Sequence, residues 1–539
     1  MLKSIQKKIL ITGLLFPHLL FCQLDWTWVS GGGASTLYQA PVFGTKGVSA
    51  PANTPGNNAN ALTWNDNSGN FWLYGGRNNN SVDRGELWKY DILSKQWTWI
   101  TGSGSGSGAE APVYGTKNLA SPSNDPGARV GSVTWTDNAG DLWLFGGTNF
   151  MLGVSNDLWK YNISTNMWTW MNGPSVNTNI TRQPVYGTQG VSSSTNRPPA
   201  VTGALSWKDN NGDFWLFGGV GVDNASNYGV FNDLWKYSVS TNQWTWVKGG
   251  AAVNQIGNYG TLNIASSTNM PGGKSFTSGW VSNAGDLYLF GGENNVALLN
   301  DLWKFNIGSG NWTWLGGSSL PGQSGVYGTQ GTASAQNIPG ARSQFYTWKD
   351  NNGDFWLFGG IDTYWSSHVI NDLWRYSVST GLWTWMKGSS VALQSGVYGT
   401  LGVSNPSNTP GARSNGARWT DNHGDFWLYS GVTASMSFMP SDMWKFTLNI
   451  ASTVGIKEEG ISTILIYPNP TDNQFSIEIS SAKDNVSFQL YNSIGSIVRY
   501  GKLADTANSI SVEDLNSGIY FLQIYKDGKL MASKKVIIK

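Results

Sequence analysis

Few residues in this chain are of types that catalyse reactions. Its 539 residues include one cysteine, Cys22, and three histidines, His18, His368 and His423. Cys22 and His18 belong to an apolar leader, so its removal would leave two histidines and no thiol. That excludes disulfides, a thiol nucleophile and thiolate metal ligands. No HExxH stretch or histidine pair offers a zinc site, and no cofactor is implied. Carboxylates are the remaining candidates. Two well-placed acids suffice for glycoside hydrolysis and leave no fixed spacing in a sequence. A carboxylate-based glycosidase or lyase therefore stands as the alternative to a binding protein.

Two recurring charged patterns have plainer readings. "DNAGD", residues 137–141, returns with variations in every repeat. Calcium loops of the EF-hand type need acids at alternate positions and a distant glutamate, which are absent here. The Asp-box of sialidases has one residue between Asp and Gly, whereas two separate Asp137 from Gly140. The preferred reading is a hairpin turn, because Asn, Asp and Gly supply local hydrogen bonds and a left-handed position. Arg129, Lys274, Arg342 and Arg413 recur at matching places, as do Asp157, Asp301, Asp372 and Asp442. A cationic ring around a channel is one use for them. Pairing of each cation with its acid is the preferred one, since buried charges need partners. Asn58 and Val201 stand at the basic place in repeats one and three, so such a ring would be incomplete.

These residues are carried by an internal repeat. "WTW" begins at residues 26, 97, 168, 244, 312 and 383. "FWLYGG" or a variant, "VYGT" or a variant, and "DLWKY" keep the same beat. Each unit reads as four short strands, here called a to d in order. In the second unit they are "ARVGSVTWT", "LWLFGG", "DLWKYNI" and "MWTWM". Alternating large aromatics suit half-buried strands. Of the 30 tryptophans, 29 fall on repeat positions, and Trp365 is the exception. Six such units predict an all-β chain with a six-bladed β-propeller, strand a innermost and strand d outermost.

The pattern resembles the kelch repeat over roughly residues 24–447. The resemblance rests on Pro126 with Arg129, the double glycine closing strand b, "NDLWKY" and "WTW". Kelch-type copper oxidases need a cysteine joined to tyrosine, which a chain without its leader lacks. Strand order would place the b–c loops together on one face with the d–a links. These loops vary while their frame repeats, so they are the candidate binding surface. Their large residues are Phe150, Met151, Tyr228, Phe231, Tyr364, Trp365, His368, Phe438 and Met439. Exposed aromatics there would stack on sugar rings or anchor a protein. The competing use is to cap the molecule's own top face.

Residues 1–22 read as a secretory signal, with Lys3, Lys7 and Lys8 before an apolar run. Without them 31 basic residues face 33 acidic ones, so there is no basic footprint for nucleic acid. No later segment is a transmembrane candidate. The expected layout is a propeller over 23–449, a linker over 450–461 and a small β-sandwich over 462–539. The last segment carries "YPNP" at 467–470, "YNSIGSIV" at 491–498, "LNSGIYFL" at 515–522 and a terminal "KKVIIK". It resembles the C-terminal sorting domain of the bacterial type IX secretion system. That resemblance implies the secretion machinery as a partner and a product secreted from, or attached to the surface of, a Gram-negative bacterium.

The chain's first "LDWTWVSGG" lacks strands a to c, and the sixth unit, ending "DMWKFTLNI", lacks "WTW". The N-terminal strand is therefore expected to supply strand d of the sixth unit, with Trp26 and Trp28 beside residues 442–446. The expected function is binding of a glycan or protein through the b–c loops. A structural surface protein without a specific ligand is a third reading.

Overall fold

The computed structural model describes residues 24–33, 39–104, 110–149, 153–175, 182–364, 368–433, 439–448, 464–479, 486–492, 496–503, 507–526 and 529–539. The expected signal and linker lie outside them. The described residues fall into two compact units, within 23–448 and within 449–539. Every regular element among them is a β-strand, and the protein is all-β, built from many small antiparallel sheets.

In the larger unit each repeat forms one antiparallel sheet in the order a-b-c-d. The second is Val133–Thr136, Leu142–Phe145, Leu158–Asn162 and Met167–Asn172. Strand b is buried on both faces, as its unbroken Leu-Trp-Leu-Phe run requires. The a–b link is the expected hairpin. Asp137 accepts N–H bonds from Ala139 and Asp141 on one oxygen, and the Trp143 indole N–H on the other at 2.8 Å. Its carboxylate is thereby spent on the turn.

The sixth sheet is completed by the chain's beginning. Leu24–Ser30 pairs antiparallel with Met443–Leu448, Trp26 opposite Phe446 and Trp28 opposite Trp444. Trp26 is fully buried and packs on Phe358 and Phe446. The strand also takes the place of its counterparts in finer detail. Asn408 donates its amide N–H to the Trp26 carbonyl at 3.1 Å, as Asn124 does to that of Trp168 at 3.0 Å.

The long d–a links have a physical purpose. The tyrosine of "VYGT" turns back over strands c and d. Tyr398 lies edge-on to Trp28 at 5.1 Å, and its hydroxyl donates to Asp442 at 2.8 Å. Tyr114, Tyr186, Tyr259 and Tyr327 repeat this on Asp157, Asp233, Asp301 and Asp372.

Neighbouring sheets are joined in three ways. Six hydrophobic clusters each draw on two successive sheets, and one of them unites the sixth with the first through Trp419, Trp427, Phe71 and Trp88. The tryptophan ending each strand a donates its indole N–H to a backbone carbonyl of the next sheet. Trp64 reaches Trp143, Trp135 reaches Trp207, and Trp207 reaches Tyr288. Trp280 reaches Trp348, Trp348 reaches Trp419, and Trp419 reaches Trp72 of the first sheet at 3.2 Å. The double glycine after strand b serves close approach. Gly146 and Gly147 have φ of 68° and 87°, and a Cβ on Gly146 would lie 2.8 Å from the Val201 carbonyl oxygen of the next sheet.

The smaller unit has a three-stranded sheet, Ile464–Tyr467, Gln474–Ile479 and Ala507–Ser511, and a four-stranded one. The four-stranded sheet orders Ile497–Leu503, Val486–Tyr491, Gly518–Lys526 and Lys529–Ile538. One core takes Phe475, Ile477 and Ile510 from the first sheet and Phe488, Leu490 and Leu522 from the second.

Candidate functional site

The repeated cations do not face solvent. Arg129–Asp157, Lys274–Asp301, Arg342–Asp372 and Arg413–Asp442 are buried ion pairs at 3.0, 2.7, 2.7 and 2.7 Å. Each acid also accepts the strand c indole N–H and the link tyrosine, as Asp372 does from Trp374 and Tyr327, both at 2.7 Å. Such buried pairs fix geometry and spend their charges on each other rather than on a ligand. Asp233 departs from the pattern. Val201 stands where its cation would be, and burial pushes its carboxyl up to about 7.

A cavity of about 560 Å³ opens where the b–c loops meet the starts of the inner strands. This is within the size range of small-molecule pockets. Four repeats supply b–c loop residues to it: Arg77, Asn78 and Asn79 from the first, Glu293 and Leu298 from the fourth, Ile361 and Tyr364 from the fifth, and Val432 and Met439 from the sixth. Phe276, Gln344 and Asn415 form its floor. Arg77 is held by Asp83 at 2.6 Å. Glu293 accepts the Ser343 hydroxyl at 3.2 Å, and burial raises its carboxyl above the usual range. It is the one carboxylate among the described residues lining the cavity. The pocket combines an aromatic face, side-chain amides, a cation and a carboxyl that holds its proton more readily than usual. That set can hydrogen-bond a polyhydroxyl ligand.

The floor is a feature the repeat pattern did not reveal. Asn60, Gly131, Gly203, Phe276, Gln344 and Asn415 all have φ between 48° and 65°. Each donates its N–H to the carbonyl of another member. Asn60 bonds Asn415, Asn415 bonds Gln344, Gln344 bonds Phe276, Phe276 bonds Gly203, Gly203 bonds Gly131, and Gly131 bonds Asn60. Six left-handed residues, one from each repeat, thus stitch the inner strands together.

The candidate residues are dispersed. Tyr364 lines the cavity and is half-buried. His368 pairs with Asp362 at 2.5 Å on the same loop. Tyr228 is 67% exposed on the strand Tyr228–Val230 and does not line the cavity. Phe231 is fully buried in the cluster with Trp235 and Tyr237, so it is not available to a ligand. It occupies the repeat place of Leu299 and Ile370, ahead of Asn-Asp, where both are also buried. Met439 is buried as well, with one edge on the cavity. Phe150, Met151, Trp365 and Phe438 lie outside the described residues. Arg77 and Glu293 were missed as candidates. Both directly follow the double glycine, where the other repeats carry Thr148, Val220, Ile361 and Val432. A change of charge at an otherwise uncharged place was the available signal.

Among the described residues, no group of three or more His, Cys, Asp or Glu is placed to hold a metal ion. No described helix is long and apolar enough to cross a membrane. Compared with known protein families, residues 465–539 match a secretion system C-terminal sorting domain. No curated protein matches the chain. The tail is thus a type IX secretion sorting domain, handled by that machinery, and the protein is secreted or displayed at the cell surface.

Proposed function

We propose that residues 23–449 form a six-bladed, kelch-like β-propeller that binds a glycan or protein ligand through its b–c loop face. Residues 1–22 act as signal, 450–461 as linker and 462–539 as the sorting domain that delivers the propeller outside the cell. The cyclic succession of clusters, indole bonds and left-handed residues supports six blades around one axis. The binding reading is carried by the cavity that four b–c loops build over the floor of left-handed residues. Its amides and the Tyr364 ring favour a sugar. Glycoside hydrolysis draws no support from it, because Glu293 has no second carboxylate beside it among the described lining residues.

A glycan array tests this reading. The purified protein should retain a subset of glycans without turning them over. Tyr364→Ala and Glu293→Gln should each weaken retention. Release of product from a polysaccharide panel, or retention unchanged in both variants, would overturn it.

A further inference from the structure

A second space lies beneath the floor. The six inner strands are Leu62–Asn65, Val133–Thr136, Leu205–Lys208, Ser278–Val281, Tyr346–Lys349 and Ala417–Thr420. They surround a channel of about 190 Å³. Its upper end is bounded by the left-handed residues, of which Asn60, Phe276, Gln344 and Asn415 border both cavities. The second place of each inner strand reads Thr63, Thr134, Ser206, Gly279, Thr347 and, in the sixth, Arg418. An arginine has replaced a small residue inside the channel.

Arg418 differs from the repeated cations that precede the inner strands. Arg129, Lys274, Arg342 and Arg413 each have a carboxylate. The Arg418 side chain lines the channel and is partly exposed there, with no hydrogen bond or ion pair among the described residues. Desolvation by the channel walls lowers its pKa below the ordinary value, an effect the nearby Tyr346 opposes. An arginine nevertheless stays charged, with five donors to satisfy. Hydroxyls around it are mostly spent. Ser206 donates to the Thr134 carbonyl at 3.3 Å and Thr134 to that of Thr63 at 3.0 Å. The series stops at Thr63, whose hydroxyl has no acceptor among the described residues and whose strand adjoins that of Arg418. Two residues further along the inner strands stand Lys208 and Lys349. Neither place carries an acid in any repeat.

We propose that the channel is a binding site for one small inorganic oxyanion, phosphate or sulfate, held by the Arg418 guanidinium with the Thr63 hydroxyl. A cation without a protein partner, set in a narrow channel, attracts a counter-charge more strongly than one on an open surface. A planar guanidinium matches two oxygens of such an ion. Lys208 and Lys349 would draw anions toward the end of the channel away from the floor. This site is separate from the loop-face cavity and does not depend on what that cavity binds.

Isothermal titration of the purified protein with inorganic phosphate and with sulfate, in chloride buffer, tests the assignment. One saturable site per chain is expected for at least one of the two ions. Arg418→Gln should weaken it at least tenfold. Arg418→Thr, which installs the residue that three of the other repeats carry, should abolish binding and melt no lower than the parent in chloride. That melting curve separates loss of the site from loss of the fold. N-acetylglutamate in a parallel titration should bind more weakly. Absence of saturable binding at millimolar ion, or equal affinity in Arg418→Gln, would overturn the site. Tighter binding of the carboxylate would overturn its assignment to an inorganic ion.

Discussion

Asp233 should make the protein less stable at pH 8 than at pH 5. In the other repeats where a cation occupies the matching place, the equivalent acid is paired; here Val201 leaves Asp233 without a cation, held by the Trp235 indole and the Tyr186 hydroxyl, both at 2.8 Å, and by its own backbone N–H. Burial pushes its carboxyl from 3.8 up to about 7. The unfolded chain gives up this proton near pH 4, and the folded chain keeps it until about pH 7. Between these values the folded state binds more protons, so stability falls as pH rises and levels off above pH 7. A shift of about three units corresponds to roughly 4 kcal/mol over that window. Asp233→Asn keeps an acceptor for both donors and cannot ionise. It should match the parent near pH 4 to 5 and exceed it increasingly up to pH 8. Equilibrium urea unfolding followed by tryptophan fluorescence, at several pH values, measures the difference. As a control, Asp301→Asn strips Lys274 of its partner and should destabilise at pH 8, by about 3–5 kcal/mol. Parallel pH profiles for the parent and Asp233→Asn would refute the reasoning.

Other perturbations probe the frame. Trp26→Ala empties a fully buried site in the sixth sheet and should cost about 3–5 kcal/mol by the same unfolding assay. Deleting residues 24–30 should lower the melting temperature of the whole larger unit, and an unchanged value would refute the role given to that strand. Tyr398→Phe removes the hydroxyl donated to Asp442 and should cost about 1.5–3 kcal/mol, since the acceptor is charged. Arg342→Met alone should cost about 3–5 kcal/mol, whereas pairing it with Asp372→Leu should recover most of the loss.

What could be read in advance was whatever depends on local pattern. Alternating aromatics placed the four strands of each repeat, and the lone "WTW" at the start found its place opposite Phe446 and Trp444. Matching periodicity paired Arg129 with Asp157 and its counterparts. Contacts between repeats were hidden, because they depend on how sheets turn about one another. Arg77 and Glu293 are over 200 residues apart and share a cavity only through that arrangement. The floor was obscured for another reason. A left-handed conformation is announced by Gly131 and Gly203, and by Asn60 and Asn415 less firmly, but nothing in Phe276 or Gln344 foretells it. Phe231 was legible in principle, since it shares the place of Leu299 and Ile370, yet its size drew attention as an off-pattern loop residue.

The strand at Leu24–Ser30 also governs how the molecule can come apart. Its pairing with Met443–Leu448 joins residues roughly 420 positions apart. By loop-closure entropy alone, bringing them together costs roughly 4 kcal/mol more than closing a six-residue hairpin. That contact forms late unless the intervening sheets have assembled first, so the last closure reports on all the others. Conversely, neither end of the larger unit can peel away singly, because each is hydrogen-bonded to the other inside one sheet. Unfolding must break that sheet before any terminal repeat is released. A protein outside the cell, without chaperones and exposed to proteases, gains persistence from such a slow exit even when its equilibrium stability is ordinary.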